Sequence, residues 1–321
     1  MIPLYQRPAT VVFVDDEPTY VEMLGLVLPA SWQSELFTRA QECLDYMRAD
    51  VERLERDVTA QSRIVQRWQQ GDGTLPQLLL DYWARDAVRY DTTRVLVVDY
   101  SMPSMTGLDL LDQLGEWAGT RILLTGRADE HTAVAAFNRS QIDQYLPKQT
   151  PEITQRVQEL VGRALARAHP GLDPIWRGTL SASQITALRR PAVMQGLSRW
   201  LEREWVEYCV IGQPFGILGV DARGQAGWLQ LELRENLGEH AELLEAALGV
   251  EARDAAPGIR SGARLAHVEF QQSLRCAVTA QLEPAFPIGD GSVLAARFPV
   301  QVQVPAYADW RAARGDAARV H

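Results

Sequence analysis

The chain has 321 residues, 46% hydrophobic and 23% charged, enough for two domains with buried cores. Its net charge of −9 argues against a surface that coats nucleic acid. No apolar run approaches the ~20 residues of a membrane helix, the first residues hold no signal-peptide core, and three widely spaced cysteines, Cys43, Cys209 and Cys276, suit neither a disulfide framework nor a zinc site, which predicts thiols in a reducing cytoplasm.

In chain order, Thr10-Val-Val-Phe-Val14 is a compact apolar run, the pattern of a strand covered on both faces, and it ends in Asp15-Asp16-Glu17. Pro18 suits the first turn of a following helix, with Val21, Leu24 and Leu28 on its buried face. A short strand at Ser34–Phe37 precedes a helix starting near Ala40. In that helix Met47, Val51, Leu54, Val58, Gln61, Val65 and Trp68 recur at alternating spacings of four and three, a heptad seam broken only by Gln61. Gly71-Asp72-Gly73 ends it, and a second helix runs from about Pro76 to Tyr90. This insertion, about 48–92, reads either as a self-contained helical hairpin or as an arm for homodimerisation or for docking a helical partner.

A second unalternating strand, Val95–Val98, ends in Asp99. Carboxylates at the C-terminal ends of parallel strands lie where open α/β sheets build their sites. A third strand, Arg121–Leu124, ends in Thr125-Gly126, and a fourth, from Ile142, ends in Lys148. Helices are predicted near 107–117 and 130–139. A last one follows Thr150-Pro151-Glu152, read as a cap, a proline and an acidic first turn, and runs to about Ala168. Lysine and arginine total 32, and Lys148 is the one lysine. Its place at a strand end points to a local need for a compact ammonium rather than a branched guanidinium.

This order of strand-end groups resembles the phosphoacceptor receiver domain of response regulators, over about residues 8–168. The resemblance implies a doubly wound, five-stranded parallel sheet of the α/β class, with the helical hairpin inserted. It implies that Asp99 is the phosphoacceptor, and that Asp15, Asp16, Asp99 and the backbone carbonyl of Ser101 hold Mg²⁺. Thr125 is then the switch hydroxyl, Tyr145 the switch aromatic and Lys148 the phosphoryl-binding cation. Met102-Pro103 and Gly107 fit the family's loop after the acceptor. The implied setting is bacterial two-component or phosphorelay signalling, with a cognate histidine kinase or phosphotransfer protein as partner and no enzyme activity beyond self-phosphorylation and dephosphorylation. The chemistry agrees: a carboxylate attacking a phosphoryl group needs a hard cation to relieve anion repulsion. Two features depart from the family pattern. Gln149 rather than proline follows the lysine, and 83 residues separate Asp16 from Asp99.

After His169–Pro174, read as a linker, residues 175–310 are expected to form an α+β output domain, with a disordered tail at 311–321. Helices are expected at 183–190, 192–208 and 237–248, a hairpin at 215–231, and strands at 264–270, 274–282, 292–298 and 300–304. Asp221 and Glu232-Leu-Arg234 faintly resemble the metal-binding acids of a nuclease-like fold, though Arg234 replaces the lysine of that signature. The helices before Tyr208 could imitate a DNA-binding helix-turn-helix, but their tryptophans read as core. His240 and His267 lack metal-ligand spacing. A protein- or ligand-binding output domain fits the apolar strands and the missing catalytic signature best.

Overall fold

The computed structural model describes residues 1–29, 31–126, 130–315 and 319–321. Its first half runs β1 (Tyr5–Gln6), β2 (Thr10–Val14), α1 (Pro18–Val27), β3 (Gln33–Phe37), α2 (Ala40–Gln69), α3 (Leu75–Arg85), β4 (Thr93–Asp99), α4 (Gly107–Leu114), β5 (Thr120–Thr125), α5 (Glu130–Asn138), β6 (Gln144–Pro147) and α6 (Ile153–Leu165). Its second half runs α7 (Asp173–Arg177), α8 (Ala182–Leu188), α9 (Pro191–Glu204), β7 (Glu207–Gly212), β8 (Phe215–Val220), β9 (Gln225–Leu233), α10 (Leu237–Leu248), α11 (Ala256–Arg260), β10 (Arg264–Leu265), α12 (Val268–Ser273), β11 (Glu283–Pro284), β12 (Phe286–Ile288), β13 (Val293–Gln303), α13 (Tyr307–Arg314) and β14 (Arg319–Val320). Two compact units result: Pro8–Val58, Val88–His169 and Arg311–His321 form one, and Met1–Arg7, Thr59–Ala87 and Pro170–Trp310 the other. Among the described residues no helix is long and apolar enough to cross a membrane.

The first unit is the α/β sheet that the strand patterns imply. Its strands lie in the order β14-β3-β2-β4-β5-β6, and all pairs are parallel. Alternate strand residues serve opposite faces. Val11, Phe13, Val95, Val97 and Ile122 pack with Val21 and Leu24 of α1 and Val157 and Val161 of α6. Val12, Val14, Leu96, Val98 and Leu123 pack with Leu44 and Met47 of α2, Leu110 of α4 and Ala136 of α5. Both faces are thus covered, which is why these strands read as continuous apolar runs.

Two expectations for this unit are corrected. Part of the presumed tail is ordered structure: β14 pairs with β3, His321 Nε2 lies 2.7 Å from Glu35 Oε2, and its ring stacks on Phe37 at 4.6 Å. Glu35 is buried in β3, and the tail supplies it with a polar partner. Thr150 does not cap the last helix either; the N-cap is Glu152, in a left-handed conformation with φ 56°, and it makes no side-chain cap bond.

The insertion folds as two helices, and α2 is 30 residues long. Its residues 40–58 belong to the first unit and 59–69, with α3, to the second. Within the second unit Gln61, Ile64 and Val65 are buried. Trp176 Nε1 donates to Gln61 Oε1 at 2.7 Å, so the polar break in the seam has a partner in its own chain. Trp83 of α3 donates to Tyr5 Oη at 3.2 Å, and Tyr5 donates to Glu207 Oε1 at 2.7 Å. The seam residues expected to call for a second chain are to this extent covered by the first.

The second unit has a six-stranded antiparallel sheet, β1-β7-β8-β9-β13-β12. The expected hairpin is β8 and β9, and α10 spans the expected residues. The strand expected at 264–270 stops at Leu265. Val268–Ser273 is helical, because that turn lays Phe270 on Trp228, with ring centroids 4.5 Å apart. Residues 274–282 form no strand, and the two strands expected at 292–304 are one, β13, irregular between Pro299 and Gln303. The helix expected to reach Tyr208 ends at Glu204, and the residues after Val206 enter β7.

Asp50 of α2 is fully buried in the first unit, where its Oδ1 accepts from the Thr93 N–H at 2.9 Å and lies 3.5 Å from Arg53. Burial pushes its carboxyl up to about 6, against the opposing pull of the Thr93 N–H and Arg53. Below about pH 4 the group is protonated whether the chain is folded or not. Between about pH 4 and 6 the folded chain keeps a proton that the unfolded chain has lost, so this group's contribution falls as pH rises, by at most about 3 kcal/mol, and then levels off. Urea unfolding across that window should show the wild type losing stability relative to Asp50→Asn; parallel curves for the two proteins would contradict the assignment.

Candidate functional site

The site is set by strand register. Val14 of β2 stands opposite Val98 of β4, so the next residues, Asp15 and Asp99, emerge side by side. Asp99 is level with Leu124 of β5, and Thr125 with Pro147 of β6, which brings Lys148 to the same edge. The Lys148 N–H donates to the Thr125 carbonyl at 2.8 Å, fixing where its side chain departs. Its Nζ lies 2.8 Å from Asp15 Oδ2 and 2.8 Å from Asp99 Oδ1. Asp15, Asp16 and Asp99 each offer a carboxylate oxygen within 4.8 Å of the others.

The electrostatics follow from burial. Burial raises the Asp15 carboxyl above its ordinary range, a rise that the bond and charge of Lys148 only partly offset. Burial is also the largest single influence on Lys148 and pulls it down, but Asp15 and Asp99 together outweigh it and hold the ammonium above its usual value. Three carboxylates face one ammonium, so a hard divalent cation suits the remaining charge and the all-oxygen donor set. The backbone N–H of Ser101 donates to Asp99 Oδ2 at 3.1 Å, and that of Glu17 to Asp15 Oδ1 at 3.1 Å. Thr125 is fully buried, and its hydroxyl has no hydrogen-bond partner among the described residues. An orphaned buried hydroxyl is costly, and an arriving acceptor would satisfy it. Tyr145 is half-buried on β6, packed against the core face that holds α2, α4 and α5.

One contributor has no sequence signal. Tyr20, in the first turn of α1, sets its ring centroid 5.0 Å from Lys148 Nζ. Its hydroxyl is buried with no hydrogen-bond partner among the described residues, and burial, with the charge of Asp15, pushes it up to about 12.

In the second unit the acids of the nuclease-like reading are kept apart. Gly216 pairs with Gln230 and Val220 with Ala226, so Asp221 and Glu232 stand at opposite ends of the hairpin. Asp221 Oδ1 instead accepts from the backbone of Arg223 and Gln225 in the turn. The helices of the helix-turn-helix reading turn their apolar residues inward: Leu197 and Leu201 are buried, and Trp200 packs edge-on to Trp205 at 5.0 Å.

The chain therefore has a response-regulator fold, a parallel receiver sheet with a helical insertion followed by an antiparallel-sheet domain. Among solved structures it is similar to the response regulator LqsR of Legionella pneumophila, with a TM-score of 0.70 over 96% of this chain and 95% of that one, at 21% identity. Receiver domain proteins from Clostridium thermocellum (17% identity, TM-score 0.32) and Methanospirillum hungatei (16%, 0.33) each align with 49% of this chain and 94% of their own. No family model matches the sequence, and no curated protein does.

Gly107 opens α4 where the chain crosses the acceptor. A Cβ there would lie 2.3 Å from the Asp99 carbonyl oxygen and 3.0 Å from Val98, and the backbone cannot yield without moving the strand end. Gly107→Ala should destabilise the first unit by about 1–3 kcal/mol and disturb Asp99. Chemical unfolding and amide spectra of the variant check this; wild-type values in both would refute the close approach.

Proposed function

We propose that the chain is a two-component response regulator in which Asp99 accepts a phosphoryl group from the phosphohistidine of a histidine kinase or phosphotransfer protein. The observation that carries this reading is the meeting of Asp99, Asp15, Asp16 and Lys148 on one sheet edge. In the transfer an Asp99 oxygen bonds to phosphorus while the phosphorus–nitrogen bond breaks, and its electron pair stays on the histidine ring. Lys148, already 2.8 Å from Asp99, neutralises a phosphoryl oxygen. Asp15, Asp16, Asp99 and the Ser101 carbonyl would hold Mg²⁺, which supplies further charge neutralisation when bound. Thr125 gains the acceptor it lacks. The antiparallel-sheet domain is read as a protein- or ligand-binding output. Its separated acids and inward-facing tryptophans favour that reading over nuclease-like chemistry or a DNA-binding helix pair.

Labelling with a small acyl phosphate and Mg²⁺ should give a hydroxylamine-labile adduct that Asp99→Asn abolishes; undiminished labelling of the variant would overturn the assignment. The Thr125 hydroxyl and the Tyr145 ring should then move together as the hydroxyl turns to the new dianion. Hydrogen exchange over residues 130–165, with and without bound beryllofluoride, should change in the wild type and much less in Thr125→Ala. Equal changes in both proteins would remove Thr125 from the switch.

A further inference from the structure

The second unit contains a cavity of about 380 Å³, walled by β9, α10, the first turn of α12 and the start of α8. Its size lies near the lower end of the roughly 300–1,000 Å³ of small-molecule pockets. Glu232 of β9, Glu239 of α10 and Glu269 of α12 line it, and no lysine or arginine does. Among the described residues none of these three acids has a lysine or arginine within ion-pair distance.

Several polar groups around the acids are already committed. The His240 Nε2 accepts from the Ala266 backbone N–H at 3.3 Å. The proton of the neutral ring is therefore on Nδ1, which lies 3.3 Å from Glu232 Oε2. Burial holds this imidazole below its usual value, so it contributes no charge. Gln230, 2% exposed, directs its amide donor to the carbonyls of Phe215 and Leu231, each at 3.4 Å. Gln184 donates to the Gly212 carbonyl at 3.0 Å and accepts from the Ser181 N–H at 2.9 Å. Gln230 and Gln184 thus turn their donors onto the protein, and Glu232, Glu239 and Glu269 line the cavity beside them. Phe215 and Leu243 add an apolar side. Phosphates and other anions are repelled by such a lining. A metal ion is poorly served as well, since Asp15, Asp16 and Asp99 are the one set of three ligand atoms close enough together among the described residues.

We infer that this cavity binds a small organic amine, its ammonium group donating to Glu232 with Glu269 and Glu239 nearby, and its alkyl chain lying against Phe215 and Leu243. This goes beyond the phosphoacceptor reading and does not depend on it. The site would give the output domain a ligand of its own.

Binding carries a proton signature. Burial, reinforced by the charges of Glu269 and Glu239, pushes Glu232 up to about 8, and burial also raises Glu269. The titratable groups facing Glu232 are those two acids and His240, which stays neutral. An alkyl ammonium keeps its charge to about pH 10. The incoming cation must then displace the Glu232 proton, so affinity rises with pH up to about 8.

The test is calorimetric titration of the full chain, in excess Mg²⁺ to occupy the acids around Asp99, with 1,4-diaminobutane and with its uncharged counterpart 1,4-butanediol. The diamine should bind at least about tenfold more tightly than the diol. Its affinity should rise between about pH 6.5 and 8 with proton release, and Glu232→Gln should weaken it at least about tenfold and flatten the pH dependence. Thermal melting shows whether Glu232→Gln is folded, and Glu269→Gln gives an independent, smaller loss. No diamine binding up to about 10 mM, equal binding of diamine and diol, or wild-type binding by folded Glu232→Gln would each overturn the proposal. Labelling of Asp99 in the same samples reports on the phosphoacceptor reading separately.

Discussion

The first unit depends on a single ammonium group held between two buried carboxylates. Asp15 and Asp99 are 1% and 3% exposed, and burying carboxylates is costly unless they are paired. Lys148 reaches both at 2.8 Å. Removing either partner from such an arrangement leaves a buried charge uncompensated, which costs more than the intact pair gains. The ammonium also leaves the site one positive charge against three negative ones.

Everything upstream of that contact serves to align it. The parallel pairing of β2, β4, β5 and β6 places four strand ends on one edge, and a one-residue slip in any pair would turn its terminal group to the other face. Alternating burial against α1 and α6 on one side and α2, α4 and α5 on the other fixes that register. Gly107 lets α4 start against the Asp99 carbonyl. Register, packing and one missing Cβ together hold the carboxylates within 4.8 Å of one another.

The legible parts of the sequence were those where one physical demand dominates. Strands covered on both faces show as unbroken apolar runs, and the 30-residue α2 shows in its heptad spacing. The site residues were legible because each ends such a strand. Where tertiary contacts decide between local options, the pattern misleads. Val268 and Phe270 alternate as in a strand, but stacking of Phe270 on Trp228 selects a helical turn. Arg319–Val320 has no strand signature of its own, since a two-residue edge strand takes its conformation from its neighbour β3. Tyr20 reaches Lys148 only because α1 folds over the strand ends, and no spacing in the chain encodes that.

The two acid clusters of the molecule differ in how their charge is met, and the difference is chemical. At the sheet edge, an ammonium that burial cannot neutralise partly offsets Asp15 and Asp99. In the second unit, the side chain beside Glu232 is His240, whose Nε2 accepts from the Ala266 N–H and whose Nδ1 lies 3.3 Å from Glu232 Oε2. Burial disfavours charge on both members of that pair, and the lower-energy state at neutral pH is a neutral imidazole beside a protonated acid. A chain that uses arginine for all but one of its 32 lysine and arginine side chains lines this cavity with none of them. The first cluster is therefore partly neutralised within the protein, whereas Glu232 in the second has no lysine or arginine to offset its charge and favours the ionised form when a positive charge enters from outside.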